Sequence, residues 1–402
     1  MTDHGTAAPL RGVRVLDLTN VLAGPFACHQ LAHLGAEVIK IEAVGRGDLA
    51  RDLGADPELS RRGMGVSFLA QNAGKQSLTL NLKDPRGLGA LKRLVATADI
   101  LVENFRPGVM ARLGADYAAL RAENPRLIYC AISGFGQDGP WADRPAYDQI
   151  VQGASGLMSV TGDVDSAPLR VGFPLADTIG GLTAAMAISA ALNAEPRGAF
   201  IDVSMLDSVL ATMGWVVSNH LVAGVEPRPH GNENPTSAPS GSFQCADGLI
   251  NIAANKDEQW EALARHLGRA DLLERDDFAT REDRKVNRLS LRAELETALG
   301  TRNARDWARE LNALGVPSGA VMTVPDILAH PQVRDRGLLA RFDDAPGVDR
   351  PVDLMRIGAQ IDGVRPSVSA PPPALGANTD AILGGLGYTS EAIETLRAEG
   401  VI

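Results

Sequence analysis

Short apolar runs alternate with longer amphipathic runs through the first third of the chain. The apolar runs are rich in β-branched residues and are bounded by polar turns, which is typical of buried strands. They lie at 13–18, 37–42, 77–82, 100–103 and 127–133. Helices are predicted between them at 25–34 and 84–98. Strands that alternate with helices favour a parallel sheet covered on both faces, so we expect an α/β fold.

The composition changes near the middle of the chain. Helices predicted at 177–194 and 204–224 flank a strand at 199–203. Segment 226–242 is then rich in proline, glycine, asparagine and serine, which are loop-forming residues. Charged amphipathic helices follow at 257–267, 289–299 and 304–314. A chain of 402 residues has room for more than one domain, and this change marks a second, smaller one.

The charge and the cysteines exclude several classes of function. The chain has 39 basic and 49 acidic residues, a formal net charge of −10 that argues against general binding to nucleic acid or anionic membranes. Cys28, Cys130 and Cys245 are too widely spaced for a disulfide framework or a metal site, which favours a reducing, cytoplasmic compartment. The beginning lacks the apolar core of a signal peptide. The most apolar stretch, 180–194, is too short to span a bilayer.

Two local motifs match known sites only in part. Residues 134–139 fit the G-x-G-x-x-G pattern of dinucleotide-binding turns, but prolines interrupt the helix that should hold the pyrophosphate. We expect a glycine turn that lines another ligand. His29 and His33 have the spacing of two zinc ligands on a helix, yet Gln30 stands where a glutamate base is needed and no third ligand is near. We therefore expect no metal site.

A more specific signal comes from segments that occur in one order along nearly the whole chain. They are 11–27, 34–42, 102–114, 133–140, 147–162, 171–181, 200–210 and 375–388. With these segments the chain resembles the family III CoA-transferases, the CaiB/BaiF family that includes formyl-CoA transferase and carnitine CoA-transferase. The resemblance implies an interlaced homodimer. Each chain would have a Rossmann-like large domain of 1–224 plus 326–402 and a smaller α+β domain of 225–325.

The resemblance identifies Asp177 as the catalytic nucleophile. Its carboxylate would attack an acyl-CoA thioester and later carry CoA as an aspartyl-CoA thioester, so that no ATP and no permanently bound cofactor are needed. The CoA thioester is then a substrate. An aspartate before an apolar helix can also be a simple N-cap, so that structural role stays open. Gly180 and Gly181 are expected to let the thioester approach and to offer backbone N–H groups to an oxyanion.

The resemblance also assigns CoA-binding positions, one residue at a time. They are Val21, Leu22, Asn72, Ala73, Gly74, Lys75, Asn104, Phe105, Arg112, Ser133, Gly134, Phe135 and Gly136. Lys75 and Arg112 would supply positive charge for the phosphates, although each alone could be an ordinary solvated cation. Leu22 replaces a glutamine of formyl-CoA transferase, which disfavours formyl and oxalyl substrates. Ala43 replaces an arginine that some relatives use for a phosphate.

The expected reaction moves CoA from an acyl-CoA, of the succinyl-CoA type, to a free dicarboxylic acid of four to six carbons. Arg170 could pair with the distal carboxylate of the acceptor, and 231–242 resembles the loop that covers the active site in relatives. Related α-methylacyl-CoA racemases have a histidine where this chain has Tyr147, and a tyrosine hydroxyl is a poor base at neutral pH. A racemase or isomerase is therefore one alternative, and a CoA-binding subunit without activity is another.

Overall fold

A computed structural model describes residues 8–402. The strands are β1 Arg14–Asp17, β2 Glu37–Glu42, β3 Lys75–Thr79, β4 Ile100–Glu103, β5 Ile128–Ser133, β6 Ala199–Ser204, β7 Ser240–Gln244, β8 Leu249–Ala253, β9 Ser318–Ala320, β10 Leu339–Phe342 and β11 Val352–Met355. The helices are α1 Ala23–His33, α2 Pro57–Arg61, α3 Val66–Asn72, α4 Pro85–Val95, α5 Val109–Leu113, α6 Tyr117–Glu123, α7 Asp148–Ala154, α8 Leu175–Ala191, α9 Met205–Thr212, α10 Gly214–Ala223, α11 Asp257–His266, α12 Arg281–Val286, α13 Arg288–Leu299, α14 Ala304–Ala313, α15 Val324–Ala329, α16 Pro331–Asp335, α17 Thr379–Gly385 and α18 Ser390–Ala398. Short 3₁₀ turns connect some of these elements.

These elements group into two compact units. The first comprises 8–157, 171–223 and 332–402, and the second comprises 158–170 and 224–331. The second unit therefore includes the segment expected as the small domain and also residues 158–170, 224 and 326–331, which the sequence analysis placed in the large domain. No helix between residues 8 and 402 combines the length and the apolar character needed to cross a bilayer.

A parallel six-stranded sheet forms the centre of the first unit. Its strand order is β3-β2-β1-β4-β5-β6, and each neighbouring pair is parallel. Alternate residues of β1, β2, β4 and β5 enter two separate apolar clusters, for example Leu16 in one and Val15 in the other. The α/β prediction is thus confirmed. The strand order reverses between β1 and β4, and open parallel sheets bind ligands at the carboxyl ends of the strands beside such a reversal.

The third strand begins and ends earlier than predicted. The alternation of apolar and polar residues predicts a strand at 77–82, whereas β3 covers Lys75–Thr79. Lys75 fits inside the sheet because the buried carboxylate of Asp17 compensates its charge. The Asn81 amide donates to the Val401 carbonyl oxygen at 2.8 Å, so the chain has left the sheet by that residue. Residues 80–83 therefore lie at the carboxyl edge of the sheet.

The second unit has its own core. An antiparallel sheet of order β7-β8-β9 lies beside helices that include α11, α13 and α14. Its buried apolar cluster contains Trp260, Phe278 and Trp307. The helices α11, α13 and α14 were predicted from their amphipathic pattern, whereas the short strands on either side of the turn at Gly248 were not.

Candidate active site

A small cavity lies at the carboxyl ends of the central strands, beside the reversal of strand order. Its volume is about 160 Å³, and its lining comes from the turns after β1, β4 and β5 and from the first turn of α8. The lining residues are Asn20, Val21, Leu22, Ala23, Asn104, Phe105, Ile132, Ser133, Gly134, Ala146, Tyr147, Asp177 and Met205. The structure thus brings Asp177 together with six of the predicted CoA-binding residues, namely Val21, Leu22, Asn104, Phe105, Ser133 and Gly134.

Asp177 does not cap the helix that contains it. It is the third residue of α8, and the helix has no side-chain cap at its N-cap position, Pro174. The cap comes from Asp148 of α7, whose Oδ1 accepts hydrogen bonds from the amides of Ala176 at 2.8 Å and Asp177 at 3.3 Å. The N-cap interpretation of Asp177 is therefore wrong. Within residues 8–402, no hydrogen bond to the Asp177 carboxyl oxygens occurs.

Two features of the surroundings change the acidity of Asp177. Burial raises the pKa of its carboxyl group, and the nearby negative charge of Asp148 raises it further, to about 7. Asp148 is itself 8% exposed, and its Oδ2 accepts a hydrogen bond from Gln152 Nε2 at 2.7 Å. Asp177 is therefore a poorly solvated carboxyl group that exchanges its proton near neutral pH. A pKa displaced this far in a cavity is typical of functional carboxyl groups.

Gly180 and Gly181 have a packing role that the sequence analysis did not anticipate. Both are buried inside α8, where the backbone N–H groups belong to the helix itself. A Cβ atom on Gly181 would lie 2.6 Å from the Ala23 carbonyl oxygen, and one on Gly180 would lie 2.9 Å from Met205 Cγ. The two glycines let α8 approach α1 and the beginning of α9. The expectation that they serve as oxyanion donors is therefore wrong.

The turn after β1 is strained and firmly held. Val21 has a φ of +69°, a conformation that is rare for a β-branched residue and that is concentrated at functional sites. Its amide donates to Asp48 Oδ1 at 2.9 Å. Asn20 and Asn104 exchange two hydrogen bonds of 2.8 Å, which join this turn to the turn after β4. Both turns thereby contribute a fixed wall to the cavity.

The glycine-rich turn after β5 also lines the cavity without forming a dinucleotide site. Gly134 lies so close to Ala146 that a Cβ atom would be 2.3 Å from the Ala146 Cβ. Gly136 has a φ of +89°, and its amide donates to Ser133 Oγ at 3.0 Å. Phe135 packs edge-on against Trp141, with ring centroids 5.3 Å apart. Ser133 and Gly134 line the cavity, whereas Phe135 and Gly136 support the turn from outside the lining.

The four residues predicted before the third strand lie elsewhere. Asn72, Ala73 and Lys75 are buried at the amino end of β3, and Gly74 packs against Val368. Lys75 Nζ lies 2.8 Å from Asp17 Oδ2 and 2.9 Å from the Pro25 carbonyl oxygen, and its side chain is 0% exposed. This corrects the expectation that Lys75 presents its charge to a CoA phosphate.

A larger cleft opens next to the small cavity. Its volume is about 660 Å³, and it follows the carboxyl ends of β1, β2 and β3. Its lining residues are Leu18, Asn20, Ile41, Glu42, Ala43, Val44, Leu80, Asn81, Leu82, Lys83, Phe105, Val109, Leu113 and Gly400. Asn20 and Phe105 line both spaces, so the two are adjacent. Arg112 is exposed and is not part of either lining.

Lys83 lines this cleft, and the sequence analysis did not single it out. It is exposed, and it supplies the cleft with a cation at the carboxyl edge of the sheet. The signal that could have found it is positional, since ligands of a parallel sheet meet the residues that follow a strand rather than those that precede it. The predicted strand at 77–82 places Lys83 directly after its end, so this rule alone was enough to single the residue out.

The remaining predicted residues fall into two groups. Tyr147 lines the cavity with Asp177 and is 69% exposed. Arg170 and the 231–242 segment belong to the second unit. Within that unit, helix α13 holds the segment in place, because Arg288 Nη1 donates to the Asn234 carbonyl oxygen at 3.0 Å. In the part of the chain that the structure describes, no group of three or more histidine, cysteine or acidic residues could hold a metal ion.

Comparison with known proteins agrees with this architecture. Residues 10–379 match the family model CoA-transferase family III. The chain is 37% identical over 389 residues to "Succinate--glutarate CoA-transferase" of Agrobacterium fabrum, which covers 94% of this chain and 96% of that protein. It is 40% identical over 358 residues to "Acetyl-CoA:oxalate CoA-transferase" of Acetobacter aceti, which covers 88% and 90% respectively. A crystal structure of a CAIB/BAIF family protein from Brucella suis superposes with a TM-score of 0.83 at 34% identity, covering 94% of this chain and 100% of that one. The chain therefore belongs to CoA-transferase family III, as its sequence signature indicated.

Proposed function

We propose that this CoA-transferase moves CoA between a dicarboxylyl-CoA and a free dicarboxylate through a thioester on Asp177. The observation that carries the proposal is the state of Asp177, whose carboxyl group has no hydrogen-bond partner among residues 8–402 and lies in a cavity at the carboxyl edge of a parallel sheet. Such a group is poorly solvated, which favours attack on a carbonyl carbon. No other carboxyl group lines that cavity among residues 8–402.

The two adjacent spaces suit the two ends of an acyl-CoA. In the proposal, the nucleotide end occupies the larger cleft and the thioester reaches the small cavity past Asn20 and Phe105. Lys83 provides positive charge for phosphate oxygens, and the exposed Arg112 is a further candidate. Val21, Leu22, Ser133 and Gly134 remain proposed contacts for the pantetheine end. Asn72, Ala73, Gly74 and Lys75 do not enter this binding mode.

The proposed reaction needs no reactant other than the acyl-CoA donor and the acceptor carboxylate. The Asp177 carboxylate attacks the thioester carbonyl carbon, and CoA leaves as a thiolate, which gives a mixed anhydride. The thiolate then attacks the Asp177 carbonyl carbon, so the donor acid leaves as a carboxylate and an aspartyl-CoA thioester remains. The acceptor carboxylate attacks the same carbon and displaces the thiolate, and this thiolate finally attacks the acceptor carbonyl. Asp177 returns as a carboxylate, and each barrier is lower than that of direct exchange.

The names of the relatives support dicarboxylates as the substrate class. One relative is named for succinate and glutarate, and another for oxalate. We propose succinyl-CoA as the donor type and a dicarboxylate of four to six carbons as the acceptor. Leu22 is apolar where formyl-CoA transferase has a glutamine, so the polar side chain expected with very small acyl groups is absent at this position. Arg170 remains the proposed partner of the distal carboxylate, in a bidentate pair. The three cysteines are buried and unbridged, in keeping with the proposed cytoplasmic location.

We also propose the homodimer that the family resemblance implies. Helix α10 has no buried residue, although it contains Trp215, Leu221 and Val222, which are 88%, 76% and 86% exposed. Met186 on α8 is 68% exposed. Apolar side chains exposed together in this way commonly mark a protein interface. A second copy of the chain is the proposed cover, because the family resemblance implies two interlaced chains.

One mass-spectrometric experiment tests the activity against its alternative. The enzyme is incubated in D₂O with pooled acyl-CoAs and a panel of free mono- and dicarboxylates, beside the D177N variant as the control. The proposal predicts new CoA esters of added dicarboxylates with the native enzyme and none with D177N. Deuterium at the α-carbon of the acyl group without new esters would contradict it and would indicate a racemase or isomerase that uses Tyr147 or Asp177 as a base.

A further inference from the structure

Four fully buried charged residues surround the base of the strained turn at Val21. Asp17, Lys40, Asp48 and Lys75 all have side chains that are 0% exposed. Lys75 Nζ lies 2.8 Å from Asp17 Oδ2, and Lys40 Nζ lies 2.8 Å from Asp48 Oδ2. Lys40 Nζ is also 3.9 Å from Asp17 Oδ1, which links the two pairs. We call these four residues the buried quartet.

Every member of the quartet is bonded to one short stretch of backbone, residues 19–25. Lys40 donates to the Thr19 carbonyl oxygen at 2.8 Å, and Asp17 Oδ1 accepts from the Thr19 amide at 2.9 Å. Asp48 Oδ1 accepts from the Val21 amide at 2.9 Å. Lys75 donates to the Pro25 carbonyl oxygen at 2.9 Å. The quartet therefore fastens the turn after β1 at its beginning, its middle and its end.

Burying these four charges costs free energy, which indicates a role beyond stabilising the fold. Taking four ions out of water carries a large desolvation penalty, and buried ion pairs are often replaceable by apolar residues without loss of stability. The turn they hold is itself strained, because Val21 has a positive φ. The same turn places Val21, Leu22 and Ala23 in the cavity wall that also includes Asp177. The buried charges therefore lie beneath the part of the cavity wall whose geometry the proposed reaction needs to be fixed.

We infer that the buried quartet is a positioning element for CoA transfer, which keeps the 19–25 stretch in the conformation that the thioester end of the substrate requires. The inference rests on the proposed function. Asp48 is its most direct member, because it alone bonds the amide of the strained residue. None of the four touches the reacting atoms, so each acts through the backbone. Loss of the contacts between the quartet and residues 19–25 would lower kcat more than it weakens acyl-CoA binding, because in the proposal the larger cleft binds the nucleotide end of CoA.

The test compares D48N with a matched control, D99N. Asp99 likewise has one cationic partner, Arg197 at 2.9 Å, and accepts one backbone amide, that of Arg14 at 2.9 Å. It lies at the amino edge of the same sheet, away from the cavity. With succinyl-CoA and glutarate, D48N is expected to lose at least ten-fold in kcat with KM for acyl-CoA changed less than about three-fold. D99N is expected to keep the kcat of the native enzyme per folded molecule.

A double-mutant cycle with V21G separates positioning from a general loss of stability. Glycine adopts a positive φ without strain, so a turn in which glycine replaces Val21 depends less on Asp48. D48N is expected to lower kcat by less than about three-fold in the V21G background, against at least ten-fold in the native background. If D48N does not fold, K40M/D48N leaves no lone buried ion and is compared in the same two backgrounds.

The possible results separate the two proposals. Equal fractional losses of kcat in both backgrounds, or a D48N enzyme with the native kcat, would overturn the positioning role. A loss in D48N that the D99N control shares would overturn it too, since it would then report stability alone. Absence of CoA transfer in the native enzyme would instead overturn the proposed function.

Discussion

At the residue scale, two neighbouring aspartates have different tasks because their partners differ. Asp148 Oδ1 accepts two backbone amides, at 2.8 and 3.3 Å, and Asp148 Oδ2 accepts one side-chain amide at 2.7 Å. These hydrogen bonds stabilise its charge at the N-terminus of α8. Asp177 lacks such partners among residues 8–402 and lies in the cavity. This difference in hydrogen bonding is why we propose Asp177, and not Asp148, as the nucleophile.

The first prediction concerns the pH dependence of the reaction. Asp177 must be ionised to attack, and its pKa is raised to about 7 by burial and then by Asp148. We expect kcat/KM to fall about ten-fold per pH unit below this value. D148N removes the negative charge of Asp148 but leaves Asp177 buried. The pKa of Asp177 should therefore fall only part of the way to its ordinary value, and the acid limb of the profile should move to lower pH by the same amount.

The pH profile of kcat/KM for the native enzyme, D148N and D202N checks this prediction. Asp202 also accepts a loop amide, from Gln137 at 2.9 Å, and its charge does not contribute to the pKa of Asp177. D202N should therefore keep the native acid limb. An acid limb that D148N leaves unmoved would refute the contribution of Asp148.

The second prediction links the same group to stability. The pKa of Asp177 in the folded protein is above the ordinary value of 3.8, so between about pH 4 and pH 7 the folded state holds a proton that the unfolded chain releases. The free energy of unfolding therefore falls as the pH rises through this window. D177N has no such titration, and we expect it to be more stable than the native enzyme by about 1–3 kcal/mol at about pH 8 and equally stable at about pH 4.

Chemical denaturation at both pH values measures this difference. A D177N protein that is stabilised equally at the acidic and the alkaline pH would show that the effect comes from packing and not from ionisation.

At the residue scale, the sequence could identify Asp177 only through the family resemblance. From the residue alone, an N-cap was the simpler interpretation. The residue that in fact caps α8 is Asp148, which is 28 positions earlier than Ala176. Such a tertiary cap leaves no local pattern, so only the folded chain can show it.

At the scale of elements, α8 and α1 pack closely because Gly181 has no side chain. Gly181→Ala would place a Cβ atom 2.6 Å from the Ala23 carbonyl oxygen, which belongs to backbone and cannot move aside. Gly180→Ala would meet Met205 Cγ at 2.9 Å, and this flexible side chain can rotate. Helix propensity favours alanine over glycine by about 1 kcal/mol at both positions.

We therefore expect G181A to destabilise the protein by about 1–3 kcal/mol and to lower activity, and G180A to be nearly neutral. Urea denaturation of the two variants measures the difference. Equal stability of G180A and G181A would contradict the close approach of α1 and α8.

Elements were predictable where the local pattern agrees with the environment. The strands Glu37–Glu42 and Ile100–Glu103 occur as predicted, the first from its alternation of apolar and charged residues and the second from its apolar run. The prediction for β3 began two residues late, because Lys75 and Gln76 are consecutive polar residues that precede the alternating pattern. Lys75 is stable there because it pairs with Asp17, in a strand two positions away in the sheet, and donates to the Pro25 carbonyl oxygen.

At the scale of the whole molecule, the sequence could show that a second unit exists but not all of its parts. The loop-rich segment 226–242 marks its beginning, and amphipathic helices fill it. Residues 158–170 also belong to it, and the main chain there interacts with the unit through the bond from the Gly231 amide to the Gly162 carbonyl oxygen, at 2.7 Å. A contribution from a distant part of the chain has no signature in composition.

The exposed apolar side chains of α10 give a prediction at this scale. If a second copy covers them, V222E should weaken the dimer by at least about ten-fold in Kd, because it would bury a charge. V286E is the matched control, since Val286 is 81% exposed and Val222 is 86% exposed, and Val286 lies in the second unit. Sedimentation equilibrium of the native chain and both variants checks the prediction. A native chain that sediments as a monomer of 42.3 kDa would contradict it.

If Asp177 carries CoA during the transfer, the covalent intermediate can be trapped chemically. The enzyme is mixed with succinyl-CoA in the absence of an acceptor, quenched with hydroxylamine, digested and analysed by peptide mass spectrometry. An aspartyl-CoA thioester or its anhydride precursor reacts with hydroxylamine, so we expect a hydroxamate on Asp177 in the native enzyme and an unmodified peptide in D177N. CoA transfer with no modification at Asp177, or with the hydroxamate on another residue, would contradict the account.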